Sequence, residues 1–238
     1  MKSTVYFTRQ ITPEAVLRLY EHLDKALPGK VAVKVHSGEP GNQNFLRPEF
    51  WKPVVDRVNG TIVECNTAYK GKRDIAERHM QTFREHGWSS LFEVDLLDAQ
   101  GPDLELEIPN GKQIQKNYVG KDITSYDSCL ILSHFKGHPM GGYGGALKQL
   151  SIGFASAYGK KYIHGAGSTE DFWKTERNRF LESMADAAGS VMEFFKNEIV
   201  FINVMKNMSV DCDCCAVAED PCIADIGMLI SLDPVAID

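Results

Sequence analysis

Short β-rich apolar runs alternate with segments of helical period along almost the whole chain, and this alternation limits the fold more than any other feature. STVYFT, KVAVKVH, GTIVEC, LFEVDLL, SCLILSH, KKYIHG and EIVFINVM have strand length and are bounded by turn residues. Between them, TPEAVLRLYEHLDKAL opens with Thr12 as a cap and Pro13 in the first turn. PEFWKPVVDRV opens at Pro48, with Pro53 a candidate kink, and GKRDIAERHMQTFREHGW, GGALKQLSIGFASAYG and DFWKTERNRFLESMADAAGSVMEFFKN complete the amphipathic set. The pattern predicts an α/β fold, a mainly parallel sheet flanked by helices. One stretch, DLLDAQGPDLELEIPNGKQIQKNYVG, alternates instead as an antiparallel β-hairpin insertion with a Pro-Asn-Gly turn. With no internal repeat or low-complexity linker, residues 1–238 are expected to form a single elaborated domain. The final SLDPVAID reads as a strand followed by a helix start, with Asp233 as cap and Pro234 in the first turn. The chain stops where that helix should run on, so a truncated C-terminus is expected.

Composition narrows the partners. The net charge is −6 and no basic block is present, which argues against nucleic acid, because neutralising phosphates needs clustered Lys and Arg. No stretch approaches the roughly 20 apolar residues of a membrane span, and the start MKSTVYFTRQ lacks a signal peptide's apolar core. A cytoplasmic protein with no membrane partner is expected.

Four of the six cysteines fall within DCDCCAVAEDPC, namely Cys212, Cys214, Cys215 and Cys222. A secreted chain would spread its cysteines to close loops, so the cluster reads as a ligand or redox site. Thiolates favour iron–sulfur clusters, iron or zinc, and Cys212 and Cys214 are the stronger ligand candidates. They converge only if the loop folds sharply. A dithiol redox pair and inert cysteines are the alternatives. Asp211 and Asp213 would raise the thiol pKa values without a metal, which argues against a free reactive thiolate. Cys129 reads as a small core residue, and Cys65 stays open.

In parallel sheets ligands collect beyond the carboxyl ends of the strands, so polar residues following strand runs are the site candidates. After KVAVKV come His36 and the loop holding Asn42; after TIVE come Cys65 and Asn66; after CLILS come His134, Lys136 and His138. EIVFINVM leads through Asn207 to the cysteines. Lys34 and His36, two apart, share a strand face, and an ammonium inside an apolar strand needs a partner or a purpose unless it lies on an exposed edge. Arg47 is either a carboxylate clamp or a surface residue. Imidazole suits proton transfer near neutral pH, which makes His36 and His138 catalytic candidates beside Lys136; His134 is read evenly as a site residue or a backbone-bonded strand end. Gly141, Gly142, Gly144 and Gly145 lead toward a helix, where backbone amides can approach an anion, with Lys148 one turn on. The segment spells neither a Walker loop nor a dinucleotide fingerprint.

KVHSGEPGNQNFLRPEF, ECNTAYKGKR, SHFKGHPMGGYGGALKQLSIG, VDCDC and DIGMLISLDPVAID together resemble the uncharacterised iron–sulfur-centre proteins, a domain-of-unknown-function family of anaerobic bacteria and archaea. The resemblance implies an α/β domain and carries over to His36, Asn66, Lys136, His138, Lys148, Cys212, Cys214 and Asp233. It also implies, in longer members, a ferredoxin-like insert with two cluster-binding cysteine runs after the position of KKYIHGAGS; here that segment runs straight into a helix, so the chain resembles a short form. Similar members continue beyond Asp233–Asp238.

The leading expectation is a metal- or iron–sulfur-binding protein, redox-linked or a metalloenzyme acting on a small anionic metabolite. Cys212 and Cys214 would hold the metal or cluster, His138 would move protons with Lys136 and His36, and Lys34, Asn42, Asn66, Gly142, Gly144, Gly145 and Lys148 would hold the substrate. A metal-free transferase or isomerase of a phosphorylated or carboxylated metabolite is the second reading. The third is a noncatalytic carrier passing a cluster or electrons to a redox partner protein.

Overall fold

The computed structural model describes residues 2–238. In chain order its elements are β1 (Val5–Thr8), α1 (Pro13–Leu23), β2 (Val31–Lys34), α2 (Pro48–Val58), β3 (Thr61–Glu64), α3 (Ala76–Glu85), α4 (Trp88–Leu91) and β4 (Val94–Leu96). The hairpin β5 (Leu104–Glu107) and β6 (Lys116–Val119) precedes β7 (Ser128–His134), β8 (Lys136–His138), β9 (Gly142–Gly144), α5 (Ala146–Leu150) and α6 (Ala157–His164). Helix α7 (Arg177–Phe194), β10 (Ile199–Met205), β11 (Gly227–Ser231) and α8 (Pro234–Ile237) complete the chain. Seven strands form the main sheet in the order β1-β11-β10-β7-β2-β3-β4. The run from β10 to β4 is parallel, and β11 lies antiparallel to both β10 and β1. The fold is the expected mainly parallel sheet with helices on both faces.

The strand period of two divides the core. Val31, Val33, Leu130, Leu132, Val200 and Ile202 face α1 and α2, whereas Ala32, Val63, Cys129, Ile131, Ile199 and Phe201 face α5 and α7. Both faces are covered, which is why these runs are continuously apolar. Helix α1 starts as anticipated: the Thr12 hydroxyl accepts from the Ala15 amide at 3.2 Å, and Pro13 fills the first turn. Pro53 lies inside α2 without ending it. In the insertion, the Gly111 amide closes the Ile108–Gly111 turn at 3.0 Å across Pro109 and Asn110. Asp233 caps α8, accepting from the Val235 and Ala236 amides. None of the helices among the described residues is long and apolar enough to cross a membrane.

Two segments differ from the expectation. KKYIHG is the second half of α6, not a strand. Ser156 caps this helix, its hydroxyl accepting from the Gly159 amide at 3.0 Å, and Gly159 lets it approach β6 so closely that a Cβ would sit 1.9 Å from the Tyr118 carbonyl oxygen. GGALKQLSIGFASAYG is also not one helix. Its first residue, Gly144, ends β9, which pairs with β8, and α5 stops at Leu150 because Phe154 and Ala155 are drawn to the hairpin: the Gly120 amide donates to Phe154 O at 3.2 Å and Ala155 bridges to Val119.

Candidate active site

Strand β2 leads to β3 on one side while β7 and β10 lie on the other, so the topology reverses between β2 and β7. The crevice beyond their carboxyl ends is the position where open α/β sheets bind ligands. A cavity of about 280 Å³ lies there. Lys34, His36, Lys136, His138 and Lys148 line it, as do Gly144 and Gly145. These expected residues, from separate parts of the sequence, therefore share one cavity with Cys214 and Cys215.

The cysteine loop folds sharply enough for its thiols to meet an imidazole. A ring nitrogen of His138 and the sulfurs of Cys212 and Cys214 all lie within 4.8 Å of one another. Donors in a tetrahedral zinc shell, with bonds of 2.0–2.3 Å, stand roughly 3.5 Å apart, so a small closure brings this set into register. The Gly141 amide donates to Nδ1 of His138 at 2.9 Å, and the Lys148 ammonium stands 4.0 Å from the Cys212 sulfur. Burial, with Lys148 and Lys136 nearby, holds His138 far below the ordinary imidazole range, so the ring is a neutral donor. The neighbouring Cys214 and burial push the Cys212 thiol up, while the hydrogen bond with Cys214 brings Cys215 down to about 7.

Asp213 does not face the thiols. Its carboxylate accepts from His134 Nδ1 at 2.9 Å and pairs with the Lys136 ammonium at 2.9 Å. Burial works to raise its pKa, but His134 and Lys136 overcome this and keep it well below the carboxylate range. The charge of Asp213 therefore bears on His134 and Lys136, while Asp211 acts on the thiols as anticipated, working to raise Cys215 against the stronger pull of its bond with Cys214. His134 donates its other ring N–H to the Lys206 carbonyl and is a structural strand-end residue.

A second polar cluster joins β2, β3 and α3. Arg73 donates to Glu39 at 2.9 Å and to Glu64 at 3.3 Å, and His79 Nε2 meets Glu64 at 2.9 Å. Burial tends to raise Glu64, yet Lys34, His79 and Arg73 hold it well below its ordinary value. His36 accepts from the Gly38 amide at 3.1 Å and lies 3.3 Å from Arg73; burial and that guanidinium keep the ring neutral. Lys34 is not on an edge. It is 2% exposed in a central strand, and burial brings it down to about 8.

Several expected substrate contacts are committed to the protein. The Asn42 amide donates to the Cys215 carbonyl at 2.8 Å and its oxygen accepts from the Asn44 and Phe45 amides, so it braces the cysteine loop. Asn66 bonds Asp98 and His79. Neither asparagine lines the cavity, and neither does Gly142. The amides following the glycine turn, of Ala146 and Leu147, donate to the Asp238 carboxylate at 2.7 and 2.9 Å, so that helix start holds an internal anion. Arg47 lies over the Phe45 ring, 3.9 Å from its centroid.

Sequence reasoning missed Glu64, Arg73, Gln149, Lys160 and His164, all of which line the cavity. Glu64, a charge ending an apolar strand, carried the same signal as Lys34. Gln149 sits in a segment read as an amphipathic helix, Lys160 and His164 in KKYIHG, read as a strand, and Arg73 at the polar start of a helical segment, so none stood out.

No curated relative matches the chain. Solved structures share its fold, among them the following two. The lactate racemase apoprotein from Thermoanaerobacterium thermosaccharolyticum aligns with a TM-score of 0.53 and 14% identity, over 83% of this chain and 50% of that one. A protein from Thermotoga maritima aligns with a TM-score of 0.53 and 11% identity, over 84% and 52%. The chain spans about half the length of each. Residues 31–238 match the family described as a domain of unknown function, DUF362, and the chain belongs to that family.

Proposed function

We propose that the protein binds a single iron or zinc ion through His138, Cys212 and Cys214 and acts as a metalloenzyme on a small anionic metabolite. The observation that carries this reading is the convergence of one neutral imidazole and two thiols within 4.8 Å of one another, with His138 and Cys214 lining a cavity also lined by Lys34, Arg73, Lys136, Lys148 and Lys160 and Cys212 buried behind it. Three protein donors leave a coordination position open, the arrangement of catalytic metal sites, and such an ion supplies Lewis-acid chemistry when bound. The chain's own residues do the rest. Lys148, beside Cys212, favours the thiolate the metal requires, and Lys136 is held in place by Asp213. A basic cavity in a chain of net charge −6 favours an anionic guest. Lactate, in the name of one fold neighbour, is a small carboxylate of the size such a cavity admits.

Metal analysis of anaerobically purified protein tests the reading. About one equivalent of iron or zinc is expected, lost in Cys212→Ala. Metal content below about a tenth of an equivalent, together with no effect of Cys212→Ala or His138→Ala on stability, would sink it. Anion binding that persists in such a preparation would support the metal-free transferase or isomerase instead.

A further inference from the structure

We infer that Lys34, Lys160 and Gln149 form a carboxylate subsite, and that the adjoining wall of Met140, Ile152 and Trp173 receives an apolar arm of the same molecule. The ligand class is then a small organic monocarboxylate with a hydrophobic substituent. This rests on the reading above that the cavity takes an anion, and it assigns the residues and chemistry that recognise it.

Counting hydrogen-bond donors leads to the subsite. An ammonium has three N–H groups. Lys34 donates to the Val35 carbonyl and, at 3.3 Å, to Gln149 Oε1; Lys160 donates to the Ala155 carbonyl and, at 3.4 Å, to the Cys65 carbonyl. Each retains one N–H, and neither has a carboxylate within ion-pair distance among the described residues. Lys160 and Gln149 are each 8% exposed, and the buried Nε2 of Gln149 has no hydrogen-bond partner among the described residues. Two ammoniums and an amide are thus desolvated around one cavity with unspent donors, a costly arrangement until an acceptor enters. A carboxylate offers two oxygens to these N–H groups and adds to the negative charge that Glu64 supplies at longer range. Gly153 makes the arrangement possible: a Cβ there would sit 2.7 Å from Cε of Lys34 and 2.1 Å from the Gln149 carbonyl oxygen. Arg73, the residue best shaped for phosphate, is already held by Glu39 and Glu64, which favours carboxylate over phosphate.

One stretch of the lining is apolar: Met140, Ile152 and Trp173. Ile152 belongs to a core cluster with Ile163 and Phe180, and Met140 packs against it. His164 stacks on Phe180, centroids 4.7 Å apart, and meets Trp173 edge-on at 5.1 Å. Burial brings His164 down to about 4, so its ring is neutral near pH 7 and adds to the apolar wall. Trp173 is 50% exposed although it lines the cavity, an aromatic face left for a guest to cover.

Calorimetric titration of the anaerobically purified protein with acetate, butyrate, hexanoate, 3-phenylpropionate and inorganic phosphate tests the assignment. Affinity should climb roughly fourfold per methylene from acetate to hexanoate, as expected for methylenes leaving water. Trp173→Ala should flatten that climb while leaving acetate within about twofold, and Gln149→Leu should weaken every carboxylate about tenfold, the loss of one charge-assisted hydrogen bond. Trp173 is exposed, so its variant stays interpretable if the buried substitution misfolds. A series flat with chain length, phosphate binding more tightly than any carboxylate, or a folded Gln149→Leu protein within about twofold of wild type would overturn the inference. A flat series on metal-loaded protein removes this inference alone, the full series on metal-free protein removes only the metal reading, and absence of any anion binding removes the subsite together with the anionic substrate.

Discussion

The ammonium of Lys136 lies 2.9 Å from the Asp213 carboxylate with both side chains buried, so the strand-end segment after β7 is tied to the cysteine loop by an ion pair withdrawn from water. His134 adds a second hold on the same carboxylate. The pair decides where Cys212 and Cys214 stand, because Asp213 lies between them in sequence.

Removing one partner of such a pair strands a buried charge. Asp213→Ala should lose about 3–5 kcal/mol of unfolding free energy, measured in urea. Asp213→Ala combined with Lys136→Met should recover a substantial part of that loss, because the orphaned ammonium is gone. Equal losses in the single and double variants would show that the pair does not couple the two segments.

Metal removal provides a second check. If His138, Cys212 and Cys214 hold an ion in the folded state alone, chelation should remove the linked binding free energy, about 2.7 kcal/mol at a hundredfold excess over Kd, and lower the melting temperature accordingly. Cys212→Ala should start from the lower melting temperature and respond little to chelator. A wild-type melt indifferent to chelator would count against a bound metal.

Lys34 predicts a pH dependence. Burial brings its pKa from 10.5 to about 8, so between those values the unfolded chain carries a proton the folded chain has released. Unfolding free energy therefore rises with pH across that window, and the destabilising charge is fully present below about 8. At about 1.4 kcal/mol per unit, the effect amounts to roughly 3 kcal/mol. Lys34→Met lacks this titration, so its stability relative to wild type should be greatest at pH 7 and fall toward pH 10. Parallel urea profiles for the two proteins at all pH values would refute this.

Glu64 holds Arg73 and His79 together, at 3.3 and 2.9 Å. Glu64→Gln leaves the buried guanidinium with Glu39 alone and should cost about 3–5 kcal/mol. Glu64→Gln with Arg73→Met should be less destabilised than Glu64→Gln by itself, measured by the same urea midpoints.

Much of the architecture was legible from pattern. STVYFT, KVAVKVH, GTIVEC, LFEVDLL, SCLILSH and EIVFINVM each contain a strand of the main sheet; the central ones are apolar almost throughout because both their faces are covered. KKYIHG failed for a stated physical cause: a short apolar run has no period of its own, and the cap at Ser156 decided for helix. The glycine-rich turn reaches the cavity through Gly144 and Gly145, but the partner of the amides that follow it, Asp238, lies far along the chain and only the fold reveals it. Lys34, His36, Lys136 and His138 were legible because each follows an apolar strand. Gln149 and Lys160 were not, since only packing shows that their polar ends are cut off from water.

Residue order alone was enough for the sheet, its two covered faces and the rim where polar groups gather, since these follow from periodicity and local turn chemistry. The approach of His138 to Cys212 and Cys214, the turning of Asp213 toward Lys136, and the unspent donors of Lys34, Lys160 and Gln149 were decided by tertiary packing. Such features depend on which distant groups share a desolvated space, and desolvation is a property of the assembled fold that no stretch of chain carries locally.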